Sequence, residues 1–413
     1  MFKNKKRAVI FTVIVLVVLG LIIQWAIPYR FGYFVKGPEL AYEHFGDVLK
    51  LENGNVLILG SNSHFCKSSN NCKDNIMPVV NFPCLIYDAK SFSVKQIKFP
   101  TDILYQPKGI LLKNNKLLLT HVYNPNDTSI NYPKIRKIYN SVDTPQAPPY
   151  QYDSMAILNL NTLKIEQIIK KEINRIYRPN WFYGETFTLL DNDKILIIDF
   201  NNSIIETYDL KTNTTKILPI KIRNEAYSKV FATSGGTALI FGKNLDEHDK
   251  NYNIIYKYDD KTQSITPAGK AINRHSATVK QINNYEFIIF GGNTKKHIDA
   301  DTIEVFNAKN AKTSVLCKLK KRRLALRQHV DLPDSAKISS RHILIVGGHK
   351  PGYGLSGFEK TSEIIDIKSG SSFLGPKLIH APVGVKAINL NKNEVMLLQG
   401  NTIQIFRKWR WIK

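Results

Sequence analysis

Cysteine is scarce in this chain: four residues in 413. So few cysteines cannot supply a disulfide scaffold, and their even number is not by itself evidence of bridges. Several catalytic signatures are missing as well. There is no Gly-rich phosphate loop, no Ser nucleophile elbow and no HExxH zinc motif, so none of those chemistries has a foothold in the sequence. No nucleic-acid motif is present. Acidic residues are outnumbered, with 34 Asp and Glu against 58 Lys and Arg, a formal net charge of +24. A long apolar run occurs once, AVIFTVIVLVVLGLIIQWAI at 8–27.

What fills the remainder is a recurring phrase. An alternating apolar run meets a small turn of Lys, Asn, Asp, Ser or Thr, and a second apolar run follows. Copies begin at 87 (YDAKSFSVKQI), 158 (LNLNTLKIEQI), 208 (YDLKTNTTKIL), 258 (YDDKTQSIT), 306 (FNAKNAKTSVL) and 365 (IDIKSGSSFL), so successive starts lie 71, 50, 50, 48 and 59 residues apart. A strand-built period near 50 residues is the sequence signature of a propeller. Upstream of each copy stands another strand, such as NVLILG at 55–60, KILIIDF at 194–200 or EFIIFGG at 286–292. Before that comes a weaker one, such as SATVKQI at 276–282. Each unit is thus four strands, A to D from the inside outward. A seventh unit stops short, with EVMLLQG at 394–400 and TIQIFRK at 402–408 reading as strands B and C. An open blade leaves an unpaired edge, and YRFGYFVK at 29–36 is the segment expected to cover it. The expectation is an all-β fold of seven blades over residues 28–413; six blades plus a hairpin is the alternative.

Two blades carry a family resemblance. One reads Arg274, His275, FIIFGGN at 287–293 and TIEVFNAKNAKTSVL at 302–316; the other reads ILIVGGH at 343–349 and TSEIIDIKSGSSFL at 361–374. These resemble the kelch repeat, as in the central domain of galactose oxidase. The paired glycines are degraded in the first four blades, and the strand D tryptophan of the family is replaced, with Phe373 the nearest substitute. The resemblance implies a kelch-type propeller. It also implies that Arg and His before strand A serve blade packing.

The apolar run has the length of a membrane-spanning helix. Lys3, Lys5, Lys6 and Arg7 precede it, which predicts a cytoplasmic tail at 1–7, a single span at 8–27 and a propeller outside the cytoplasm. No small-x-small cleavage site follows the run, where Gln24, Trp25 and Pro28 stand instead. The Lys-, Asn- and Ile-rich composition suits a bacterial chain, so the expected location is the inner or plasma membrane with a periplasmic propeller. Cys66 and Cys72, with five residues between them in CKSSNNC, suit a small disulfide ring. Cys84 and Cys317 read as separate buried thiols. The run Lys320–Lys321–Arg322–Arg323 reads as a solvated inter-blade loop.

Long connections fall between strands B and C, at 61–82, 122–153, 243–251 and 349–360, and emerge on the same face as the D–A connections. Binding usually resides in such loops on a rigid scaffold. Near the start of strand A stand Arg178 and Trp181, Arg223 and Tyr227, Arg274 and His275, Arg327 and His329, and His380. These are the candidate binding residues, a cationic mouth for a carboxylate or phosphate ligand. The excess positive charge favours anionic partners, an acidic glycan or an envelope protein, with nucleic acid excluded by the expected topology. The expected function is a non-enzymatic binding or scaffold module without cofactor or metal. The alternative is a carbohydrate-active enzyme, a sugar-acid mutarotase or a sugar oxidase. The oxidase resemblance would require two Tyr, two His and a Cys–Tyr cross-link on copper, and no spacing commits the histidines to it.

Overall fold

The computed structural model describes residues 12–18, 27–40, 47–60, 84–97, 108–120, 150–151, 154–170, 176–177, 185–199, 204–219, 229–242, 252–274, 276–292, 301–324, 332–350, 357–380 and 384–409. Seven four-stranded antiparallel sheets account for almost all of them. Six are continuous in sequence. Blade 1 holds Val48–Lys50, Val56–Ile58, Cys84–Asp88 and Ser93–Ile97. Blade 2 holds Gly109–Leu112, Lys116–Leu119, Ser154–Asn159 and Lys164–Lys170. Blade 3 holds Glu185–Leu189, Lys194–Asp199, Ile204–Asp209 and Thr214–Ile217. Blade 4 holds Lys229–Thr233, Thr237–Phe241, Tyr252–Asp259 and Ser264–Ile272. Blade 5 holds Thr278–Gln281, Glu286–Phe290, Thr302–Asn307 and Lys312–Lys318. Blade 6 holds Asp334–Lys337, His342–Val346, Thr361–Asp366 and Ser371–Lys377.

Blade 7 is assembled from both ends of the chain. Lys386–Asn391, Glu394–Gln399 and Thr402–Lys408 are its strands A to C, and Gly32–Glu39 is its strand D. Gly32 pairs with Lys408 and Glu39 with Thr402.

The middle strands explain why the rhythm is so apolar. In blade 1, Val56 and Ile58 pack toward blade 7, whereas Leu57 and Leu59 pack toward blade 2. In blade 7, Val395 and Leu397 face blade 6, and Met396 and Leu398 face blade 1. A strand buried on both faces reads as a continuous apolar run rather than an alternation. Among the described residues seven such clusters alternate with the seven blades, so the core is a ring of interfaces.

No helix among the described residues is long and apolar enough to cross a membrane. Residues 12–18 are helical and exposed, and a short 3₁₀ turn spans Ile27–Tyr29. The other residues of 8–26 lie outside the described set. Cys66 and Cys72 also lie outside it. Cys84 and Cys317 are free thiols on blades 1 and 5; burial pushes Cys84 up to about 12 and Cys317 up to about 11, so neither is a nucleophile near neutrality.

Candidate functional site at the axial mouth

Strand A of every blade lines the axis, and its first residues stand on the face of the long B–C and D–A connections. The inner rim is stitched by hydrogen bonds from blade to blade. Asp47 Oδ2 accepts the Gly109 N–H at 3.2 Å, joining blades 1 and 2. The Ala232 N–H donates to Thr188 Oγ1 at 3.2 Å, joining blades 4 and 3. Thr278 Oγ1 donates to the Pro333 carbonyl at 2.6 Å, and Asp334 Oδ2 accepts the Ala387 N–H at 2.8 Å. Satisfied buried polar contacts of this kind hold the rim in one register.

Lysines converge on that rim. Lys108 immediately precedes strand A of blade 2, Lys229 opens strand A of blade 4 and Lys386 opens that of blade 7. Lys280 sits third in strand A of blade 5, where its Nζ lies 2.8 Å from Asp334 Oδ1. Lys229 and Lys386 form no ion pair among the described residues. The Lys229 ammonium pKa is depressed to about 8. Enclosure by protein is the larger cause; repulsion by Lys386, Lys108 and Lys280 adds to it, and Asp47 opposes it. Channel water still reaches the side chain, which tempers the first cause and leaves the second intact. Four ammonium groups from four blades thus share one electrostatic neighbourhood, with Asp47 and Asp334 as counter-charges. Such a cluster can bind an oxyanion.

The residues singled out from sequence fare differently. Arg274 is 2 % exposed. Its Nη1 donates to the carbonyls of Gly291 at 3.3 Å and Thr302 at 2.8 Å, and its Nη2 lies 3.3 Å from Glu304 Oε2. Its guanidinium is spent on holding blade 5 together. Blade 6 repeats the arrangement with Arg323, which donates to Gly347 O at 2.6 Å, Thr361 O at 2.5 Å and Glu363 Oε1 at 3.4 Å. Arg323 is fully buried, which corrects the solvated reading of 320–323; only Lys320, Lys321 and Arg322 are exposed. The paired glycines belong to this clamp. Gly347 has φ +78°, and a Cβ there would stand 2.5 Å from Val385 Cγ1.

His380 is half-buried at the outer side of blade 7. Its neighbour Ile379 donates its N–H to Gln404, and His380 adds a minor share to the depression of Glu39, whose main causes are the hydrogen bond and charge of Lys36. It does not join the axial lysines. Arg178, Trp181, Arg223, Tyr227, His275, Arg327 and His329 lie outside the described residues. The lysines were missed because each is anonymous in its own repeat. Aligning the residue that opens strand A across repeats finds Lys229 and Lys386, but not Lys108, one residue earlier, or Lys280, two residues later.

No protein-family pattern matches the chain, and no curated protein matches it in sequence. Among solved structures it is similar to a novel fungal alcohol oxidase described as catalytically diverse within the AA5 family and solved with copper. The TM-score is 0.62 and the identity 14 %, over 92 % of this chain and 76 % of the oxidase. Among the described residues no three His, Cys, Asp or Glu side chains gather to hold a metal, and the two described cysteines lie in inter-blade faces, not at the axis. The likeness is one of architecture, and in architecture the chain is a seven-bladed β-propeller.

Proposed function

We propose that this chain is a membrane-anchored, extracytoplasmic propeller that binds an anionic ligand, an acidic glycan above all, through the face bearing its B–C and D–A connections. The observation that carries this reading is the convergence of Lys108, Lys229, Lys280 and Lys386 at the axial mouth of that face. Like charges held together cost free energy in the empty protein, and a bound carboxylate relieves that cost. The anchor rests on the apolar length of 8–27 and the basic residues before it. A protein partner with an acidic surface is the other ligand of matching chemistry.

Binding should carry a pH signature. The ammonium form of Lys229 is the one that attracts an anion, and it is lost as pH rises through about 8. Affinity of the purified full chain for polygalacturonate, measured by calorimetry in detergent, should be flat from pH 6 to 7 and fall above about pH 8. Lysines of ordinary pKa would hold affinity to about pH 10. Neutral dextran should not bind, and added salt should weaken the acidic polymer. Equal affinity for the two polymers would refute the reading.

A further inference from the structure

Residues 29–33 and the end of strand C of blade 7 meet at one corner of the disc. Strand C of blade 7 ends at Lys408, which pairs with Gly32, the first residue of strand D. The segments flanking that pair therefore lie on the face of the A–B and C–D turns, opposite the lysine mouth. Trp409 Nε1 donates to the Tyr29 carbonyl at 2.7 Å, its backbone N–H donates to Phe31 O at 3.2 Å, and its ring lies 4.8 Å from that of Tyr33. Tyr29 is 38 % and Trp409 37 % exposed. The apolar run reaches this corner without a spacer. Ile27–Tyr29 is already a 3₁₀ turn packed against the outer strand of blade 6, and the Arg30 guanidinium stacks 3.9 Å from the Phe373 ring centre.

The same face carries a repeated lysine. Side-chain oxygens of Asp88, Asp209, Asp259, Asn307 and Asp366 each accept the backbone N–H two residues on, at 2.8 to 3.0 Å. The residues so positioned are Lys90, Lys211, Lys261, Lys309 and Lys368. The capping oxygens turn into the turn backbone, while all five lysines are exposed. They are spread over blades 1, 3, 4, 5 and 6. Among the described residues Lys90, Lys261 and Lys368 form no ion pair. Lys211 shares Asp193 with Lys113, at 3.6 Å, and Lys309 Nζ lies 3.9 Å from the Tyr285 ring centre. Aromatic groups favour the headgroup level of a bilayer, and lysines there add attraction to anionic lipid.

We propose that the A–B/C–D face of the propeller lies flat on the anionic lipid surface of the membrane that holds residues 8–27, with the lysine mouth turned away from it. The proposal rests on the anchored reading given above. It is tested on the full chain in nanodiscs of phosphatidylcholine, alone or mixed with phosphatidylglycerol, by lysine acylation read peptide by peptide in a mass spectrometer. Retention in the disc through a high-salt wash reports on the anchor alone; a chain that washes off overturns the anchor and this proposal with it. In a retained chain, acylation of the five turn lysines should be severalfold slower in anionic than in neutral discs, and high salt should restore it. Lys95, exposed on the outer strand of blade 1, serves as the reference. Lys211 and Lys261, on the blades farthest from the anchored corner, decide the matter. If they react equally fast in both discs, or if slowing is confined to Lys368 and Lys408, the flat seating is wrong.

Discussion

Replacing Glu363 with alanine is expected to cost about 3–5 kcal/mol of stability, read as a fall in the denaturant midpoint. Four donors lose their acceptor at once. The Glu363 carboxylate takes the N–H groups of Lys320 at 2.7 Å and Lys321 at 2.9 Å, Ser372 Oγ at 2.8 Å and Arg323 Nη2 at 3.4 Å. Arg323 has no access to water and burial already lowers its pKa, so the substitution strands a buried guanidinium. That is the expensive way to break a buried pair, because the desolvation of the remaining charge goes uncompensated. Glu363→Gln should cost less, since the amide oxygen still accepts one of the two backbone N–H groups. Blade 7 displays that arrangement: Gln404 stands at the equivalent place and accepts the Ile379 N–H at 2.7 Å. Removing both partners, Arg323→Met with Glu363→Leu, should recover only part of the loss: the stranded guanidinium is gone, but the Lys320 and Lys321 N–H groups and Ser372 Oγ still lack their acceptor. A midpoint unchanged by Glu363→Ala would show that the clamp is ornamental.

Reversing charge at the mouth should have the larger functional consequence. The double variant Lys229→Glu/Lys386→Glu is expected to weaken polygalacturonate binding by at least about 100-fold, taking each lost charge-assisted contact at about 1.5–3 kcal/mol. Two further effects act in the same direction. The introduced carboxylates repel the ligand, and they offset the positive field to which Lys108 and Lys280 contribute. Lys95→Glu makes half the net-charge change of the double variant on the outer rim and should alter affinity only slightly. The comparison separates a localised site from a general attraction to a basic protein. Equal losses from the rim and the mouth would remove the axial site from consideration.

Much of the architecture could be read from the chain because a blade repeats its physics. Val56, Leu57 and Ile58 are all apolar since both neighbouring blades must be satisfied. The Asp-x-Lys phrase recurs because the turn after strand C requires a side-chain acceptor for its free N–H groups. Seven units follow from those two demands. The site was harder. Lys229 looks like any other lysine until it is set beside Lys108 and Lys386 around the axis, and that juxtaposition belongs to the closed ring rather than to any local pattern. Arg323 failed for the converse reason. A run of four cations reads as solvated, yet its last member is drawn inward by Gly347 O, Thr361 O and Glu363, which arrive from strands many residues later.

Blade 7 also dictates when the molecule can exist at all. Its outermost strand precedes blade 1 in the sequence and its other three follow blade 6, so closure waits until residues 386–408 have been synthesised. Until then Gly32–Glu39 has no partner for its Thr402–Lys408 edge, and the faces of blades 1 and 6 that blade 7 will cover stand bare. A product that stops before Thr402 therefore leaves Gly32–Glu39 as an unpaired edge, a mark by which a protease or chaperone can tell an unclosed ring from a closed one.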